Sequence, residues 1–71
     1  MSELNKIEKL IVDVLKNFNA SKEQSSKSIK DIVIKTNRSK SVTINNLDKL
    51  VRKKIIGRTI VNKSAHYFLI N

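Results

Sequence analysis

The sequence predicts a mainly α fold closed by a small β-hairpin: three helices, then two short strands. Three observations carry this. Apolar residues recur at 3 and 4 spacing in three separate stretches before residue 54. Polar breaks that end in Ser or Asn divide those stretches. Two β-rich segments, "IIGRTIV" and "AHYFLI", flank the polar triplet "NKS" at the C-terminal end.

The first helix is expected over about residues 3–18. Leu4, Ile7, Ile11, Val14 and Phe18 form its stripe, Leu10 and Leu15 widen it, and Ser2 stands where a cap would. "NASKEQSSKS" holds one apolar residue in ten and reads as a connection. Ser28 and Asp31 have the spacing of a capping box, and Ile29, Ile32, Val33 and Thr36 favour a short second helix over about 29–36. Asn37 tolerates the left-handed backbone that stops a helix, and Ser39 or Ser41 can cap the next. The third helix is expected over about 40–53 and the hairpin over about 55–70.

A chain of 71 residues without Cys has room for one thin core, no disulfide frame and no thiolate metal site. No apolar run approaches the ~18 residues a bilayer requires, and the N-terminal stretch interleaves charges where a signal peptide would be continuously apolar, so an intracellular chain without a membrane partner is expected. The formal net charge is +9, but Lys, Asn and Ile are all abundant, as AT-rich coding would also produce. Distribution is the better guide. Residues 1–18 are neutral, whereas residues 38–58 alone carry +6. A localised basic segment points to an anionic partner.

"IKDIVIKTNRSKSVTINNLDKLVRKKII", followed by a hairpin containing "YFL", resembles the winged helix-turn-helix domain of bacterial and archaeal transcription regulators. The resemblance spans residues 29–70 and rests on a pattern: a short helix, a polar turn ending in Ser, a helix closing on "LDKLVRKKII", and an aromatic-x-Leu in the last strand. It implies a three-helix winged helix-turn-helix whose partner is double-stranded DNA. Two departures stand out. Lys54 occupies a position where many members carry Gly, and the early core residue of their third helix falls one position before Ile44.

On a helical projection Ile44, Leu47, Leu50 and Val51 share one side, with Val42, Asn45, Lys49, Arg52 and Lys53 opposite. In a helix-turn-helix the N-terminal residues of the second helix lie nearest the base edges. That makes Ser41, Val42, Asn45 and Asn46 the candidates for reading bases, since Asn can pair bidentately with adenine and Val can pack on a thymine methyl. Val42 packing against the turn is the alternative. Lys49, Arg52, Lys53 and Arg58 are expected to face phosphates, as are Arg38, Ser39 and Lys40 at the turn, although local capping explains Ser39 equally. Asn62 and Lys63 at the hairpin tip could reach the flanking backbone as a wing does; exposed turn chemistry accounts for them as well.

Tyr67 is read as packing before stacking, and His66 has no second His or Cys to form a ligand set. The carboxylates are scattered and no phosphate-binding loop exists, so neither an enzyme nor a cofactor is expected. The leading expectation is a small transcription regulator with helix 40–53 in the major groove. Two copies would suit so small a unit, with the neutral first helix as the dimer contact or, alternatively, as cover for its own core. A non-specific architectural or replication-associated binder fits the excess of Lys over Arg, and a protein-interaction module fits the same fold.

Overall fold

The computed structural model describes residues 4–70. Three α-helices, α1 (Lys6–Asn17), α2 (Ile29–Thr36) and α3 (Lys40–Arg52), combine with three short strands, β1 (Lys27–Ser28), β2 (Ile56–Val61) and β3 (Ser64–Leu69). The strands form one antiparallel sheet in the order β1-β3-β2. The class is thus mixed α/β, to which a mainly α fold with a hairpin is only an approximation.

Each helix begins on a side chain that accepts from an otherwise unpaired backbone N–H. For α1 that residue is Asn5, whose Oδ1 accepts from the Glu8 N–H at 2.7 Å while Glu8 Oε1 accepts from the Asn5 N–H at 2.9 Å. This reciprocal box sets the start of α1; the Ser2 cap expected from the sequence lies outside the described residues. Ser28 caps α2 through the Asp31 N–H, and Ser39 caps α3 through the Val42 N–H, both at 3.2 Å. Asn37, at φ 55°, ends α2 in the left-handed region.

The other two helices close alike. After α1 the N–H groups of Asn19 and Ala20 donate to the Lys16 and Leu15 carbonyls; after α3 those of Lys54 and Ile55 donate to Val51 and Leu50. Both are Schellman closures, which require a positive φ at their turning residue. Asn19 has φ 57° and Lys54 φ 62°. Lys54 therefore occupies, at a steric cost, a position that suits glycine.

The core is built from Ile11 and Leu15 of α1, Ile32 of α2, Leu47 and Leu50 of α3, and Ile56, Tyr67 and Leu69 of the sheet, with Ala20. Alternation along the strands puts Ile56, Tyr67 and Leu69 on the helix side. On the other side the chain's single glycine, Gly57, faces Phe68, and a Cβ there would come within 2.5 Å of the Phe68 ring. The hairpin turns at Asn62 and Lys63, both at positive φ (49° and 68°), the geometry that matches the twist of a two-residue loop.

β1 leaves no signal in the sequence. Only two residues long, it pairs Lys27 with Tyr67 and Ser28 with His66, and no periodicity is visible over so short a span.

Candidate nucleic-acid interface

The third helix begins at Lys40, as the sequence predicts, but its rotation differs. Thr43, Asn46, Leu47 and Leu50 are its buried residues, while Ile44 and Val51 are only half-buried. The buried side is turned by about 50° from the one expected, taking 100° per residue. Ser41, Asn45, Asp48, Lys49 and Arg52 are exposed and lie within an arc of about 100°. That stripe is the face α3 presents to solvent.

Two expected contact residues fall outside it. Asn46 is 7% exposed: its Oδ1 accepts from Asn5 Nδ2 at 2.9 Å, and its Nδ2 donates to the Val42 carbonyl at 2.8 Å. A side chain so buried does not face solvent with the stripe. Lys53 donates to both carboxylate oxygens of Glu8, at 2.8 and 3.0 Å. Its ammonium is thus directed toward α1 and away from the stripe. Val42 is half-buried at the margin, between the exposed stripe and the buried face.

These contacts explain the rotation. Lys53, Glu8, Asn5, Asn46 and the Val42 carbonyl form one polar chain along the α1–α3 seam. It draws the Asn46 and Lys53 side of α3 against the start of α1. Glu8 is 1% exposed. Burial alone would push its carboxyl up; the Lys53 hydrogen bond, the Asn5 N–H, and the Lys53 and Lys49 charges outweigh that and hold it below the ordinary value. Thr43 lies in the same buried face, with no partner for its hydroxyl among the described residues.

Arg38 and Lys40, at the turn and the first turn of α3, are exposed, as are Arg58 on β2 and Asn62 and Lys63 at the hairpin tip. Ser39 is exposed and its Oγ serves the cap. Arg58 stands opposite Tyr67 in the β2–β3 register. Tyr67 is buried, and burial raises its phenol pKa, with Arg58 opposing the rise and Asp48 adding to it. The hairpin also exposes Ile60 and Val61.

The structure adds one residue that the sequence reading had not placed on the face. Asp48, exposed and without an ion pair among the described residues, sits in the stripe between Asn45 and Arg52. Its signal was present in the sequence, as the single acidic residue of the basic segment. Only the corrected rotation puts it in view.

α1 commits Ile11, Val14 and Leu15 to the chain's own interior, and its exposed residues include Lys6, Lys9, Asp13, Lys16 and Asn17. No described helix is long and apolar enough to cross a membrane. No family model, curated protein or solved structure matches the chain.

Proposed function

We propose that the chain is a winged helix-turn-helix protein that binds double-stranded DNA, with α3 in the major groove and the β2–β3 hairpin as its wing, and that it regulates transcription. The observation that carries the reading is the solvent-facing stripe of α3. Its opposite side is occupied by core, yet the stripe holds Asn45, Lys49 and Arg52 exposed, with no neighbour covering them among the described residues. An α-helix presented in this way fits the width of the major groove. The tight α2–turn–α3 connection and the order of helices and strands support the same reading.

Within the stripe, Ser41 and Asn45 lie toward the N-terminal end, which enters deepest. Asn45 reads adenine, Ser41 reads either base type, and Lys49 and Arg52 hold phosphates further back. Asp48 favours specific over indiscriminate binding. A carboxylate is repelled by phosphate but can accept from the cytosine amino group, so it benefits binding only where a base donor meets it.

Selection of bound sequences from a random duplex library tests this directly. An enriched motif is expected, with an affinity that falls steeply with salt, by about 0.9 in log–log slope per phosphate neutralised. Absence of duplex binding at physiological salt, or a flat salt dependence, would overturn the reading.

A further inference from the structure

A cleft of about 610 Å³ opens between α2, the first turn of α3 and the start of β3. Ile29, Val33 and Ala65 give it an apolar floor, and Lys30, Lys40 and His66 stand around it. Among the described residues no carboxylate lines it. Its size lies within the range of small-molecule sites, roughly 300–1,000 Å³, which pair apolar walls with a few convergent polar groups.

The two lysines are differently compensated: Asp31 shares the first turn of α2 with Lys30, whereas the first turn of α3 gives Lys40 no acidic neighbour. Among the described residues the ion pair formed is Lys53 with Glu8, and neither Lys30 nor Lys40 is ion-paired. Each also sits in the first turn of its helix, where a cation opposes the helix field. α3 has no acidic residue in its first turn to relieve this. An anion seated between Lys30 and Lys40 offsets the repulsion at the start of α3 and adds to what Asp31 supplies at the start of α2.

The anion's chemistry follows from the lining. Two compact ammonium charges and an imidazole suit a group with several acceptor oxygens and more than one negative charge, which a phosphate has. The floor formed by Ile29, Val33 and Ala65 leaves room for an apolar body attached to it. We propose that this cleft binds a phosphate ester, a nucleotide unit whose phosphate lies between Lys30 and Lys40 and whose sugar or base packs on the floor. The unit is either part of the DNA backbone beside the site read by α3, which rests on the DNA-binding reading, or a free nucleotide, which does not.

Backbone amide shifts of the whole chain, followed by NMR while thymidine 5′-monophosphate is added, test the site. Shifts confined to the residues around the cleft are expected, absent with thymidine and abolished in the K30A/K40A double variant. Both lysines are exposed and their charges oppose the helix fields, so that variant should melt no lower than the parent does. No shifts, an equal response to thymidine, or shifts spread over distant lysines such as Lys9 and Lys16 would overturn the proposal.

Duplex binding then identifies the source. If the phosphate belongs to DNA, Lys30→Ala should weaken duplex binding about tenfold near 0.1 M salt and lower the salt slope by about 0.9. Duplex binding unchanged in Lys30→Ala, with the nucleotide shifts of the parent intact, assigns the cleft to a free nucleotide. A parent chain that responds to the nucleotide but binds no duplex keeps the cleft and removes the DNA reading.

Discussion

Lys53 Nζ lies 2.8 and 3.0 Å from the two carboxylate oxygens of Glu8, joining the end of α3 to the start of α1 across 45 residues of chain. Glu8 is almost wholly buried, whereas the Lys53 side chain retains 24% exposure. The pair is therefore asymmetric. Removing the lysine strands a buried charge, while removing the carboxylate leaves an ammonium that can turn to water. Lys53→Ala is expected to cost about 3–5 kcal/mol of stability. Thermal melting beside duplex titration checks it: an unchanged melting temperature with a salt slope lowered by about 1 would make Lys53 a phosphate contact after all.

The same pair sets an acid limb. The Glu8 carboxyl titrates below its ordinary value of 4.5 in the folded chain, so its contribution is complete above that pH and fades as pH falls through the folded-state value. Stability measured by denaturant between pH 7 and pH 3 should drop at the acid end. In Glu8→Gln the drop should be shallower, from a lower plateau. Parallel curves for the two chains would place the acid sensitivity elsewhere.

Asn45 and Asn46 are adjacent and chemically identical, yet substitution should separate them completely. Asn45→Ala is expected to leave melting unchanged and to cost about 1–3 kcal/mol on the best duplex, with a much smaller loss on random DNA. Asn46→Ala removes the hydrogen bonds to Asn5 and to the Val42 carbonyl and should lower stability by about 1–3 kcal/mol. The opposite pattern, Asn46 altering sequence preference with the fold intact, would show α3 rotated differently.

Lys54 adopts φ 62° at the close of α3. A left-handed backbone costs a residue with a Cβ about 1–2 kcal/mol, part of which is returned as extra chain entropy when glycine replaces it. Lys54→Gly should therefore stabilise the chain by about 1 kcal/mol. Chemical denaturation reads the change directly, and a loss of stability would mean that the Lys54 side chain contributes more than its backbone costs.

Thr43 is fully buried and its hydroxyl has no partner among the described residues. Thr43→Val keeps the shape and β-branching while removing the unmet polar group, so a gain of about 1 kcal/mol is expected, by the same denaturation measurement. A clear destabilisation would indicate a hydrogen bond to that hydroxyl in solution.

The positions of the three main helices and of the hairpin were legible in the sequence because they rest on local chemistry. Ser28 and Ser39 cap from within their own turns, Asn37 tolerates the left-handed backbone, and the Ile29–Thr36 bounds of α2 follow from those two signals alone. Leu47 and Leu50 were recognisable as core for the same reason, since apolar spacing on a helix is a local property. Local chemistry does not report which strand lies beside which helix, so the two residues of β1, defined only by their pairing with Tyr67 and His66, left no trace. Nor does it report rotation. Ile44 and Val51 outweigh Thr43 and Asn46 on any hydropathy scale, and a projection from sequence turns them inward. The tertiary structure decided otherwise: Glu8 and Asn5, some forty residues away, pair with Lys53 and Asn46, and with that side of α3 held against α1, Ile44 and Val51 stay half-buried. That long-range polar seam moved Asn46 and Lys53 off the exposed face of α3 and brought Asp48 onto it.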